Sequence, residues 1–311
     1  MSHADFHHEA FFYGDADEFL AGAVPFLCEG LEAGGAALVA VTRARAEALR
    51  AELDSAEEQI RFVQMEMLGR NPARIIPVWR RFVDEHRGSD RPIRGIGEPI
   101  WPRRSPAEIE ECQRHESLLN YAFWNGPEWR LLCPYDSGAL DDDVLEEAHR
   151  SHSFVSGSAA SRGARAAAAF DPEDVAPFDG ALPPPPAGAT TFVFDRPALH
   201  EARSRVAAEA SRTGLSSDRV FDLIAAVGEL TANSVLHGGG QGVLSFWRDD
   251  GALVVEVEDR GVIEEPLAGR IRPGASRLSG RGLWMVNHLC DLAQVRSGPD
   301  GTTVRVRMGL A

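Results

Sequence analysis

The chain has 311 residues, of which 44% are apolar and 25% charged, and its formal net charge is −15. The length is sufficient for two domains with separate cores, and the composition is typical of a soluble globular protein. A net negative charge argues against direct nucleic-acid binding, which normally requires a basic face that neutralises phosphates.

Lysine is absent from the sequence, so arginine supplies every fixed positive side-chain charge. This absence excludes Walker A nucleotide sites, kinase sites that use a strand lysine, and Schiff-base chemistry. No apolar run approaches the roughly 18 residues expected of a membrane span. The start of the chain also lacks the basic and apolar regions of a secretory signal. We therefore expect a cytoplasmic protein that does not act at a membrane.

The N-terminal half alternates short apolar runs with helical patterns. The apolar runs predict strands at 37–43, 61–65, 91–100 and 129–136. The helical patterns predict helices at about 15–33, 43–57, 73–87, 105–124 and 141–150. Alternation of strands and helices is typical of a mostly parallel sheet covered by helices, so we expect an α/β sandwich.

A proline-rich stretch separates the two halves of the chain. Four consecutive prolines, Pro183 to Pro186, favour a stiff polyproline II segment and cannot lie inside a packed helix. The residues before them are rich in alanine. The sequence therefore predicts an N-terminal domain at 5–157, an Ala- and Pro-rich linker at 158–189 and a C-terminal domain at 190–311.

The C-terminal half has a different order of elements. We predict a strand at 190–195, helices at 197–213 and 217–237, strands at 242–249 and 252–259, a short helix from Gly282, and strands at 291–297 and 302–308. Helices followed by consecutive strands predict a two-layer α/β sandwich with the helices on one face of the sheet.

The helix at 217–237 carries two polar residues, Glu229 and Asn233, that share one face because they are four residues apart. A solvated helix face is the simplest interpretation. However, asparagine is a poor helix former, and the neighbouring alanines leave room for a ligand. Three short glycine-containing elements also follow in the sequence: 259-DRG-261, 280-GRGLWMV-286 and 301-GTT-303. Backbone N–H groups at such glycines, before a helix, can hold a phosphate.

In this order, these motifs resemble the GHKL (Bergerat-type) ATP-binding fold, in particular its branch of anti-sigma-factor serine kinases (RsbW-like). The resemblance covers 190–311. It implies ATP and Mg²⁺ as cofactors, with Asn233 as the Mg²⁺ ligand. It also implies that Glu229 activates a serine or threonine hydroxyl of a protein substrate. Asp259, with Gly261 beside it, corresponds to the aspartate that accepts a hydrogen bond from the adenine amino group.

The same resemblance implies further binding residues and a lid at 264–279. These are Gly280 and Gly282 on the phosphate side, Thr302 or Thr303 near adenine, and the lid residues Arg270, Arg272 and Arg277. One position departs from the family pattern D-x-G-x-G, because Ile263 stands in the place of the second glycine. That glycine normally lets the backbone pass close to the nucleotide, so the departure leaves a non-catalytic module as an alternative.

Residues about 5–155 resemble a MEDS-type sensory domain. The resemblance is carried by FHHEAFFYGDADEFL, 71-NPARIIPVWRRF-82, GIGEPIWP and LLCPYD. It implies a RecA-like α/β sandwich without a phosphate-binding loop, which senses a small molecule. Candidate residues are His7, His8, Glu98, Trp101, Cys112, His115, Glu116 and Cys133. A metal site built from them is one interpretation, but their spacing matches no standard ligand pattern and a structural role is favoured.

Together the two resemblances imply a switch protein in sigma-factor control. The sensor would regulate an ATP-binding module that sequesters a sigma factor or phosphorylates a STAS-type anti-anti-sigma factor. One alternative is a protein-binding switch with a degenerate ATP site. Another is a sensor histidine kinase, which needs a phosphoacceptor histidine on a helical hairpin before the ATP domain, where this chain has the linker. The nearest histidines are His149 and His152. By analogy with related kinases we also expect a homodimer.

Overall fold

The computed structural model describes residues 6–88, 91–158, 178–273 and 280–310. Most of the predicted linker and part of the predicted lid, including Arg277, therefore lie outside the described residues. The chain divides into two compact units, residues 1–175 and 176–311. Within the described ranges, no helix combines the length and the apolar character that crossing a bilayer requires.

The described part of the first unit forms a six-stranded sheet in the order β3-β2-β4-β5-β1-β6, in which every neighbouring pair is parallel. The strands are β1 (Phe6–Tyr13), β2 (Ala36–Val41), β3 (Ile60–Gln64), β4 (Ile93–Gly97), β5 (Trp129–Asp136) and β6 (Phe154–Gly157). The helices are α1 (Ala16–Glu32), α2 (Arg43–Leu53), α3 (Met65–Leu68), α4 (Ile75–His86), α5 (Pro106–Phe123) and α6 (Asp142–Ser151). The predicted parallel α/β sandwich is confirmed.

Two strands, β1 and β6, are absent from the sequence-based prediction. Strand β1 lies between β5 and β6, and a central parallel strand normally appears as a continuous apolar run. In β1 the polar residues His7, His8 and Glu9 interrupt that run. Strand β6 has only four residues, two of them serine and glycine.

Local signals explain where α5 begins. The Ser105 hydroxyl accepts a hydrogen bond from the Glu108 backbone N–H, and the Glu108 carboxylate accepts one from the Ser105 backbone N–H. Pro106 occupies the first helical position, where no N–H is needed. This capping box fixes the register of α5, and therefore the face on which Glu116 meets the sheet.

The described part of the second unit forms a five-stranded antiparallel sheet in the order β10-β11-β9-β8-β7. Its strands are β7 (Thr190–Asp195), β8 (Gln241–Asp249), β9 (Ala252–Asp259), β10 (Leu292–Gly298) and β11 (Gly301–Gly309). Its helices are α7 (Leu199–Arg212), α8 (Ser217–His237) and α9 (Arg281–Leu289). One core joins the three helices to alternate residues of the strands, among them Val206, Val227, Val286, Val255 and Val306. The predicted two-layer α/β sandwich is confirmed.

The C-terminal end of the predicted linker is in contact with this sheet. The Phe178 carbonyl accepts a hydrogen bond from the Ser297 backbone N–H at 3.1 Å. The Pro183 carbonyl accepts one from the Arg305 guanidinium at 2.5 Å. Residues 178–183 are therefore held against β10 and β11 before the chain enters β7.

Candidate functional site

The C-terminal half of α8 closely approaches the N-terminus of α9 at Gly282. A Cβ atom added to Gly282 would lie 2.8 Å from Glu229 Oε2 and 3.0 Å from Asn233 Nδ2. Gly280, which caps α9, has a φ of 91°, a conformation that favours glycine. The structure thus brings Glu229 and Asn233 together with both predicted phosphate-side glycines, and both glycines have a physical reason to be there.

Asp259 lies at the end of β9, where two hydrogen bonds fix its carboxylate. Its Oδ2 accepts a hydrogen bond from Ser234 Oγ at 2.6 Å, and its Oδ1 accepts one from the Gly261 backbone N–H at 2.7 Å. A Cβ atom on Gly238 would lie 2.3 Å from Asp259 Cγ, so the turn after α8 can approach the carboxylate only with glycine there. Asp259 is therefore oriented before any ligand binds.

A hydroxyl pair supports the loop after Asp259. Thr302 Oγ1 donates to the Gly261 carbonyl at 2.8 Å and lies 2.7 Å from Ser297 Oγ. Ser297 Oγ also accepts a hydrogen bond from the Ile263 backbone N–H at 2.8 Å. Thr303 pairs with Glu258 on the other face of the sheet. Of the two predicted threonines, the structure thus brings Thr302 to the site.

These elements surround a cavity of about 740 Å³, within the usual range for small-molecule sites. Predicted residues that line it are Asn233, Asp259, Gly261, Arg272, Gly280, Gly282 and Thr302. The described residues place Glu229 outside this lining, at its edge beside Gly282. The Arg272 guanidinium lies 5.4 Å from the Trp284 ring centroid. Arg270, in contrast, is buried and does not line the cavity.

Ile263, the departure from the family pattern, lines the same cavity. It is not among the described residues with positive φ. The loop therefore does not need glycine at this position for its own backbone conformation. The replacement of glycine by Ile263 therefore affects the site only through the volume of the side chain, which lies in the cavity wall.

Sequence reasoning missed Ser234 and Ser297, which position Asp259 and the following loop. Ser234 follows Asn233 directly on α8, and this position beside a predicted site residue is a signal that could have identified Ser234. Ser297 reaches the loop only through the pairing of β10 with β11. No local motif identifies such a residue.

In the MEDS-like half, the structure separates the candidate residues into different surroundings. His8, Glu116 and Cys133 lie together with His152, all buried, and their ligating atoms are within 4.8 Å of one another. Desolvation by burial lowers the pKa of His8 to about 4. Burial alone would raise the pKa of Glu116, but the adjacent imidazoles of His152 and His8 outweigh it and hold that pKa below its usual range.

The other candidates do not join this cluster. Glu98 accepts hydrogen bonds from Tyr13 Oη and the Thr42 backbone N–H, each at 3.2 Å, and burial raises its pKa. The Cys112 thiol donates to the Pro99 carbonyl at 3.2 Å. The remaining candidates are His7, which contacts Glu9, Trp101, which stacks under Arg104, and the buried His115.

Comparison with protein families gives a matching family model for each half of the chain. Residues 7–153 match the MEDS model, described as the methanogen/methylotroph, DcmR sensory domain, and residues 192–308 match the histidine kinase-like ATPase domain. Among curated proteins, the comparison finds no match to the chain. Among solved structures, it is similar to the RsbU and RsbW domains of Rv1364c from Mycobacterium tuberculosis, at 22% identity and a TM-score of 0.31. That match covers 40% of this chain and 33% of the solved one. Residues 7–153 are therefore similar to the MEDS sensory domains, and residues 192–308 are similar to the histidine kinase-like ATPase domains.

Proposed function

We propose that the second domain binds Mg²⁺–ATP in the cavity and acts as a protein serine/threonine kinase under the control of the MEDS domain. In this proposal a small molecule is the signal, and the partners are a sigma factor and a STAS-type anti-anti-sigma factor in the cytoplasm. The observation that carries the proposal is the contact of Glu229 and Asn233 with Gly282. It places a carboxylate and an amide beside the N-terminus of α9, in the region of the cavity that a fixed Asp259 also lines.

The residues present suit this ligand. The Asn233 amide oxygen is the type of donor that Mg²⁺ prefers. The backbone N–H groups at the N-terminus of α9, a helix of nine residues, suit phosphate oxygens. The lone pairs of the Asp259 carboxylate that Ser234 and Gly261 leave available can accept from an amino group. When bound, Mg²⁺ neutralises phosphate charge.

Glu229 has the position of a group that acts on the partner rather than on the nucleotide. It is half-buried at the edge of the cavity, next to the phosphate-side glycine. A carboxylate there can accept the proton of a serine or threonine hydroxyl as the hydroxyl approaches. Arg272, which lines the cavity, supplies positive charge that lysine supplies in other phosphotransfer sites.

Phosphotransfer by the full chain to a serine-containing anti-anti-sigma partner tests the proposal. Glu229→Gln keeps the shape of the side chain but removes the base. We expect transfer to fall about 100-fold or more, while calorimetric titration shows ATP binding retained. Asn233→Ala should weaken ATP binding itself. Undiminished transfer by Glu229→Gln would contradict the role given to this carboxylate.

We expect Gly282→Ala to lower the affinity for Mg²⁺–ATP about tenfold, because the new Cβ displaces Glu229 and Asn233. Alanine is a good helix former, so α9 should remain folded. Gly228→Ala is a matched control on α8, because its Cβ would meet only Arg203, at an ordinary 3.4 Å. Calorimetric titration of both variants checks this prediction. Equal affinities would show that the approach at Gly282 is unimportant for binding.

The side chain of Ile263 in the cavity wall favours a second candidate function, a switch that binds its partners without catalysis. The two candidates differ in the effect of Glu229→Gln. Regulation of the sigma factor that is unchanged by this substitution would support the non-catalytic switch. A sensor histidine kinase is less well supported, since His152 is fully buried and the half-buried His149 is stacked on Phe12.

A further inference from the structure

Four buried side chains of the MEDS domain converge on one point. They are His8 on β1, Glu116 on α5, Cys133 on β5 and His152 directly after α6. We propose that they form a four-ligand site for a divalent transition metal ion, with Zn²⁺ as the ion that fits best. This inference does not depend on the proposed function of the ATPase domain.

Four of the six separations between the ligating atoms are close to those of a tetrahedral site. Glu116 Oε2 lies 3.0 Å from His8 Nε2 and 3.3 Å from His152 Nε2. Cys133 Sγ lies 3.4 Å from His8 Nε2 and 3.5 Å from Glu116 Oε2. Around one tetrahedral Zn²⁺, with ligands at the usual bond lengths, neighbouring ligand atoms are roughly 3.3–3.8 Å apart. All four ligating atoms lie within 4.8 Å of one another, so small side-chain movements that draw them around one ion would form the site.

The hydrogen bonds of the two imidazoles leave Nε2 as the inward atom in each case. His152 Nδ1 lies 2.8 Å from the Ala148 carbonyl, which can only accept, so Nδ1 carries the hydrogen. The Asn120 amide donates to the Ser151 carbonyl at 2.8 Å, which makes its Oδ1 the acceptor for His8 Nδ1 at 3.0 Å. Outer partners of this kind normally fix the tautomer of metal-binding histidines.

The inward atoms are therefore two imidazole nitrogens with lone pairs, a carboxylate oxygen and a sulfur. Acceptor atoms that face one another at such distances require a proton or a metal cation between them. Burial makes unbalanced charge unfavourable. One Zn²⁺ with a thiolate, a carboxylate and two neutral imidazoles has a net charge of zero. Among the described residues, Glu116 Oε1 also has no hydrogen-bond partner, and it can approach the same ion.

The types of ligand narrow the choice of metal. A site with one sulfur, two imidazoles and one carboxylate suits Zn²⁺ better than Mg²⁺ or Ca²⁺, which prefer oxygen alone. All four ligands come from the protein and are buried, which is typical of a closed structural or regulatory site. Such a site would join β1, α5 and β5 to the segment that leads from α6 into β6.

The test uses the full chain, stripped of metal with a chelator and titrated with Co²⁺ as a spectroscopic substitute for Zn²⁺. We expect one equivalent of Co²⁺ to give a thiolate-to-cobalt charge-transfer band and the intense visible bands of four-coordinate cobalt, and Zn²⁺ to abolish both. Zn²⁺ should also raise the thermal unfolding temperature of the first unit. A wild-type chain that shows neither the charge-transfer band nor the thermal shift would overturn the proposal.

Variants identify the ligands. Cys133→Ser changes one atom and should remove the charge-transfer band, and His152→Ala should remove four-coordinate binding. Cys112→Ser is the matched control, because Cys112 is also a buried thiol but donates to the Pro99 carbonyl. It should keep the wild-type spectrum. If Cys133→Ser retained the band, or if Cys112→Ser lost it, the assignment of Cys133 would be wrong.

Discussion

Asp259→Asn should lower the affinity for ATP by at least about 30-fold without unfolding the domain. The Asp259 carboxylate accepts hydrogen bonds from Ser234 and from the Gly261 backbone N–H. With both contacts in place, its remaining lone pairs can accept from an amino group in the cavity. The asparagine amide can satisfy Gly261 through its oxygen and Ser234 through its nitrogen, but it then presents a donor to the base. Calorimetric titration of Mg²⁺–ATP into the full chain measures the effect.

A comparison of the affinities for ATP and GTP distinguishes loss of adenine recognition by Asp259 from a general disturbance of the site. Guanine has a carbonyl where adenine has its amino group, so the asparagine variant should lose preference for ATP over GTP. Glu258→Gln serves as the control, because Glu258 is the neighbouring acid on the other face of β9. It should leave both affinities as in the wild type. An Asp259→Asn chain that binds ATP normally would refute the adenine-binding role of this carboxylate.

Arg305→Met should destabilise the second domain by about 3–5 kcal/mol near neutral pH, since it leaves a buried carboxylate without its partner. Arg305 Nε donates to Glu256 Oε2 at 2.7 Å, and both side chains are buried. The guanidinium also donates to the Pro183 carbonyl and lies 5.0 Å from the Trp247 ring centroid. Chemical denaturation of the full chain, followed through a probe in this domain, measures the loss.

The pH dependence of this loss has a definite sign. Burial raises the pKa of Glu256 above its ordinary value of 4.5, and Arg305 opposes that rise. Removing Arg305 raises the folded-state pKa further. The penalty on the free energy of unfolding is therefore largest above the folded-state pKa, and it decreases as the pH falls towards the unfolded value.

Two further substitutions isolate the buried ion pair. Arg307→Met is the matched control on the same strand, because the partner of Arg307, Asp249, is exposed. It should lower stability by less than about 1 kcal/mol at any pH. Replacing Glu256 by leucine together with Arg305→Met should restore most of the stability. A pH-independent loss in Arg305→Met alone would show that packing, and not the unpaired carboxylate, dominates.

Periodicity in the sequence predicts most of the fold because apolar residues repeat with the period of the element that buries them. Helix α8 and strand β9 begin and end where their patterns predict. Strand β1 does not follow this rule, because two of its polar positions serve a purpose other than packing. His8 faces the buried cluster, and Glu9 contacts His7 and Arg130.

The residues of the candidate sites also differ in whether the local sequence predicts them. Glu229, Asn233 and Asp259 belong to short motifs, so the sequence predicts them directly. The sequence suggests His152 only as a phosphoacceptor, because its contact with Glu116 depends on how α6 packs against α5. Ser297 also becomes visible only once β10 is paired with β11. Contacts between distant segments depend on tertiary packing, which local patterns do not contain.

The hydrogen bond between Phe178 and Ser297 has a consequence for domain fusion. Ser297 binds residue 178 through its backbone and the loop at Ile263 through its hydroxyl. Residue 178, which precedes strand β7, is thus attached to Ser297, and Ser297 also contacts Ile263 in the wall of the cavity. We expect a chimera that joins a foreign sensor before residue 178 to keep this attachment. A chimera joined at residue 190 would keep strands β7 to β11 and helices α7 to α9 but lose this attachment, and we expect the cavity of such a chimera to respond less to its upstream domain.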